Sequence, residues 1–127
     1  MSRRPSDVDP ELLRAFREAV RAKIARDLAE EGAAAAERKQ RVRAALLQAL
    51  AEAREQGLLG AAWLFGSYAW GQPEERSDVD LLVEGCRDPL RVASVVGRLT
   101  GTEVHVVCVE DAPDSLRERA TAEGVEL

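Results

Sequence analysis

The stretch between residues 58 and 83 constrains the fold most. Residues 58–65 are short, apolar and bounded by glycines, and Val79-Asp80-Leu81-Leu82-Val83 is a second apolar run of the same kind. Runs of this length flanked by turn residues read as buried strands, too short to be independent helices. Between them lies Gly66-Ser67-Tyr68-Ala69-Trp70-Gly71, followed by Ser77 and Asp78. A chain holding two such strands has to complete a small sheet and cover it with helices.

The remaining segments supply those helices. Asp9-Pro10-Glu11 is a helix start: Asp can cap, Pro is pre-set for the first helical position, and Glu complements the dipole. Leu12, Phe16, Val20, Ile24 and Leu28 then recur every four residues, and Val42, Leu46, Leu50 and Ala53 continue an apolar stripe toward Gly57. Gly32 interrupts the pattern at a cost of about 1 kcal/mol relative to Ala, but four consecutive alanines follow. Residues 10–56 therefore read as one long helix or as a helical hairpin hinged at Gly32.

Such a helix has few aromatic anchors, so it has to brace residues 58–127 or meet another chain. Further on, Asp88-Pro89 opens a helix that Thr100-Gly101 ends, residues 104–109 form a third strand, and a last helix starts at Asp111 or Pro113. The expected organisation is a polar tail over residues 1–8, a helical segment over 9–57 and a domain over 58–127. The fold class is α+β, a small sheet backed by helices on one side.

Charge narrows the function. Residues 1–60 carry 12 Lys/Arg and 10 Asp/Glu, whereas residues 61–127 carry 6 and 13, a local charge of −7 within the overall −5. An acidic strand-bearing half argues against general binding of nucleic acid, which depends on Lys and Arg. No apolar run reaches the roughly 20 residues needed to span a bilayer, and the N-terminus lacks a secretory pattern, so a cytoplasmic protein is expected. Cys86 and Cys108 sit in apolar surroundings that suit buried reduced thiols.

Asp78 and Asp80 are the first candidates for chemistry. Residues i and i+2 of a strand share a face, so these carboxylates can converge, and two like charges at that range favour a cation between them. Mg²⁺ is bound in this way, by one or two carboxylates plus water and substrate phosphates. The Asp-x-Asp spacing alone is weak, because solvated acidic turns beside strands are common. Its context adds weight: Gly66 lets the backbone approach a phosphate, Ser67 and the next amides offer donors, and Ser67 and Asp78 are 11 residues apart on neighbouring strands.

Gly66-Ser67-x-Ala69-x-Gly71 with Ser77-Asp78-x-Asp80-Leu81-Leu82-Val83 resembles the signature of minimal nucleotidyltransferases of the DNA polymerase beta superfamily. The similarity covers roughly residues 58–110. It implies a small mixed sheet, a nucleoside triphosphate (ATP) held at Gly66 and Ser67, and Mg²⁺ held by Asp78 and Asp80. The implied reaction is transfer of a nucleoside monophosphate, AMP from ATP, to a hydroxyl. Stand-alone proteins similar to this family often serve as the antitoxin of a HEPN-type ribonuclease toxin and modify a tyrosine on it. A protein partner of that kind, or self-association through the N-terminal helix, is therefore expected.

Two positions depart from the pattern. Trp70 stands where the family often has arginine, and it can stack on a base or simply pack. His105 stands where a third carboxylate is expected, with Glu103 two residues earlier on the same strand face as a substitute. The missing acid is the obvious general base, so two readings stay open: a transferase using Asp78, Asp80 and His105 or Glu103, or a nucleotide-binding protein that acts by occupying its partner.

Overall fold

The computed structural model describes residues 9–127; the tail expected over residues 1–8 lies outside them. Helix α1 runs without a break over Pro10–Glu55, so the single-helix alternative holds through Gly32. Asp9 caps it, its carboxylate accepting from the Glu11 amide at 3.0 Å. Gly57 and Leu58 close the other end by donating to Arg54 and Ala53. Then follow β1 (Ala62–Phe65), α2 (Ser67–Trp70), β2 (Val79–Val83), α3 (Pro89–Thr100), β3 (Val104–Cys108), a 3₁₀ turn over Val109–Asp111, α4 (Asp114–Glu123) and β4 (Val125–Glu126).

The strands form one mixed sheet in the order β3-β2-β1-β4. β1 is antiparallel to β2 and β4, and β2 is parallel to β3. The first strand is shorter than expected because residues 57–61 turn out of α1 before pairing begins. β4 was not expected at all, being two residues long.

The described residues divide into two compact units, 9–34 and 35–127. In the second, alternation along the strands sorts side chains to two faces. Ala62, Leu64, Val79, Leu81 and Val83 join Val42, Leu46, Leu50 and Ala53 of α1 and Val92 and Val96 of α3 in the main core. Leu82, with Trp63, Phe65 and Val107, packs instead on Leu116 and Ala120 of α4. The expectation of helices on one side is thus corrected: α4 covers the opposite face because Leu116 and Ala120 give it an apolar stripe.

Gly124 makes this closure fit. A Cβ there would lie 2.2 Å from the Ala120 carbonyl oxygen and 2.6 Å from that of Leu64, so only hydrogen lets the chain turn between α4 and β1. Arg54 then ties the end of α1 to the sheet, donating from Nε to Gly60 O at 2.8 Å and from Nη2 to the backbone oxygen of Leu127. No helix among the described residues is long and apolar enough to cross a membrane.

Candidate active site

The site lies where β1 ends and β2 begins. Phe65 pairs with Asp80, so Gly66 leaves the sheet directly beside that carboxylate. Gly66 has φ 76° and ψ −151°, a combination reserved almost wholly for glycine. A Cβ at Gly66 would sit 2.5 Å from Asp80 Oδ2. The glycine is required both by the backbone turn and by the closeness of the acid. Ala69 and Trp70 amides return to Gly66 O at 3.0 Å, which forms the single turn α2 with Ser67 at its start.

Side chains of α1 hold this turn from the other end. Arg43 donates from Nη2 to Tyr68 O at 3.0 Å and toward Ala69 O at 3.5 Å, while Arg38 donates to Pro73 O at 2.7 Å. Arg43 Nε is buried without a partner, so the desolvated guanidinium is committed to these carbonyls. Sequence reasoning missed both residues. In a chain where 16 of the 18 basic residues are arginine, no single arginine on a helix stands out. The available signal was their place beside Val42, on the edge of the stripe that turns inward.

Ser77 prepares the approach to β2, its Oγ accepting from the Glu74 amide at 2.7 Å and its own amide donating to Glu74 O at 3.1 Å. Asp78 follows, and Asp80 shares a sheet face with Leu82, away from the main core. The parallel register sets His105 opposite Asp80, and Val79 N donates to Glu103 O at 2.9 Å, which brings the start of β3 to the same mouth. Four of the residues expected from sequence therefore meet. His105 Nε2 lies 3.6 Å from Asp78 Oδ2 and 3.4 Å from Glu103 Oε1, and Nδ1 lies 3.8 Å from Asp80 Oδ1.

The mouth is open to water, with the side chains of Asp78, Asp80 and His105 39%, 32% and 53% exposed. Partial burial holds the Asp80 carboxyl above the ordinary carboxylate range; Asp78 pushes the same way and His105 opposes. Concentrated negative charge at a strand mouth, next to a glycine turn, can take a divalent cation together with the phosphates it neutralises. A cavity of about 540 Å³ bordered by Arg38, Arg41, Tyr68, Glu75 and Thr102 lies nearby. Its walls at Val42 and Tyr68 belong to the main core, on the sheet face away from Asp80.

Trp70 packs: its ring is 6.3 Å from that of Phe65, and the Arg119 guanidinium carbon lies 4.1 Å above it. Arg119, on α4, holds this position while pairing with Glu123 at 3.0 Å. The cysteines are free and buried as expected; Cys108 Sγ points to Cys86 O at 3.7 Å, and burial pushes its thiol up to about 11.

Residues 48–127 match the family described as Polymerase beta, Nucleotidyltransferase. Among solved structures, a minimal nucleotidyltransferase is 30% identical, with a TM-score of 0.59 over 70% of this chain and 95% of its own. Two toxin–antitoxin structures share the fold. One is an MntA–HpeT mutant complex at 19% identity and TM-score 0.54, covering 64% of this chain and 70% of the other. The second was determined with AMP-PNP and is 21% identical with TM-score 0.52, covering 62% and 69%. No curated protein matches the sequence. A mixed four-stranded sheet, a glycine-serine turn against an Asp-x-Asp strand and the family match agree: the chain belongs to the polymerase beta nucleotidyltransferase family.

Proposed function

We propose that this protein binds ATP with Mg²⁺ at the β1–β2 mouth and transfers AMP to a hydroxyl on a protein partner, a HEPN-type toxin. The observation that carries the reading is the approach of Asp80 to Gly66, too close for any side chain at that glycine, with Asp78 and Asp80 gathered around His105 at the same mouth. The toxin–antitoxin assemblies among the structural neighbours, one determined with AMP-PNP, support the choice of partner and nucleotide.

In this reading Gly66 and Ser67 bind phosphate oxygens through backbone amides and the serine hydroxyl. Asp78 and Asp80 hold Mg²⁺, which supplies charge neutralisation for the phosphates and for the leaving pyrophosphate. The acceptor hydroxyl attacks the α-phosphorus, and its proton passes to His105 as neutral imidazole or to the Glu103 carboxylate beside it. Arg43 and Arg38 keep the turn in register with the acids.

A second reading is favoured by the position of His105. As an imidazolium it would balance the charge of Asp78 and Asp80 without any ion, leaving a protein that neutralises its partner by occupancy alone. Transfer of label from ATP to the product of the neighbouring gene separates the two. Labelling by the wild type that disappears in Asp78→Ala plus Asp80→Ala supports transfer; equal labelling in both ends the proposal.

A further inference from the structure

We propose that the exposed apolar stripe on the first part of α1 binds a second copy of this chain, helix against helix and antiparallel, with the two-fold axis level with Ala22. Every residue from Asp9 to Glu31 is exposed. Among them Phe16, Val20, Ile24 and Leu28 keep 66%, 40%, 52% and 63% of their surface in water. Helices take most of their stability from packing an apolar face, and a contiguous exposed row of large apolar side chains marks a contact surface. Rows of residues spaced by four pack on each other at a crossing angle of about −50°, so such a contact is short and its bordering charges decide whether it forms.

Those charges select the occupant. The four apolar residues are spaced evenly about position 22, so an antiparallel copy turned about that level sets Phe16 against the partner's Leu28 and Val20 against the partner's Ile24. Arg17 and Asp27 obey the same symmetry, each three residues from an apolar neighbour, Val20 and Ile24, on the border of the stripe. In this register each Arg17 comes level with the partner's Asp27, which gives two bordering ion pairs, and further out Arg14 comes level with the partner's Glu30. Within one chain Arg17 and Asp27 stand about 15 Å apart along the helix, and neither has an ion-pair partner among the described residues. Arg21 and Lys23 flank the axis from opposite edges of the stripe and stay in water. Other registers lose the match. Sliding one copy by a turn sets Arg17 level with Lys23 and Arg14 with Arg26; sliding it the other way leaves Phe16 opposite Gly32; a parallel pair sets Arg17 on Arg17 and Asp27 on Asp27. A membrane surface would favour a uniformly basic polar face, which Asp27, Glu30 and Glu31 interrupt.

Sedimentation equilibrium of the full-length protein across the micromolar range, without nucleotide, tests this. The wild type should show a reversible monomer–dimer equilibrium. Arg17→Asp and Asp27→Arg each replace two attractions by two repulsions, so each variant should dimerise at least about tenfold more weakly. An equimolar mixture of the two variants makes every pair opposite again and should dimerise about as tightly as the wild type, which also shows that neither variant is misfolded. A monomeric wild type, including one that gains mass only with the product of the neighbouring gene, would overturn the proposal. So would single variants that dimerise like the wild type, as a parallel pair requires, or a mixture no tighter than its components. None of the substituted residues belongs to the β1–β2 mouth, so failure here leaves AMP transfer standing, and failure of the transfer assay leaves this result standing.

Discussion

A four-residue recurrence of apolar side chains runs through both halves of α1, yet the two halves differ in burial. In the first, Leu12, Phe16, Ile24 and Leu28 are each more than half exposed; in the second, Val42, Leu46, Leu50 and Ala53 are buried in the main core. The pattern in sequence specifies a helix and one apolar face. It does not specify what covers that face, which is decided by where the strands sit along the chain. The residues that steady the site, Arg38 and Arg43, come from the covered half, where a long side chain can reach the loop after β1.

Truncating one residue on each side of this boundary tests the contrast. Leu46→Ala should cost about 2–5 kcal/mol in denaturant unfolding, as expected for a fully buried leucine. Ile24→Ala should cost under about 0.5 kcal/mol in dilute protein. A cost for Ile24→Ala that grows with protein concentration would show that a second chain covers the stripe, and would assign the first half of the helix to association.

Gly66→Ala probes the covered unit at the site itself. Its φ of 76° and the 2.5 Å approach of a Cβ to Asp80 Oδ2 predict a loss of about 1–3 kcal/mol in thermal or chemical unfolding. Unchanged stability would mean that the turn relaxes freely and that the acid is not held against it.

The smallest effect concerns pH. The folded-state value of Asp80 is raised by burial, so the folded protein binds more proton than the unfolded chain between the ordinary carboxylate value and the raised one. Stability therefore falls as pH rises through that window, and the penalty is complete above it. Asp80→Asn removes the penalty: in chelator, its unfolding midpoint should exceed that of the wild type at neutral pH, and the difference should shrink in acid. A lower midpoint at neutral pH would show that attraction to His105 outweighs burial.

Much of the site was legible in sequence because its determinants are local. Asp78 and Asp80 stand two residues apart at the entry to β2, Glu103 and His105 two residues apart at the entry to β3, and the four side chains gather there as that spacing suggests, while Asp88 and Gly101 mark both ends of α3. What escaped depends on distant partners. β4 is too short for periodicity to register and exists because Val125 meets Leu64. The placement of α4 on the second face, and of Arg119 on Trp70, depends on two segments about fifty residues apart. Arg43 reads as one more solvated arginine until α2 is set against it.

The central claim is that Asp78, Asp80 and the Gly66 turn form one pocket for a divalent ion and a triphosphate. Isothermal titration of Mg²⁺ with a non-hydrolysable ATP analogue tests it most directly. The account predicts saturable heat in the wild type that vanishes in folded Asp78→Ala plus Asp80→Ala; equal heat in both proteins, or none in the wild type, would contradict it.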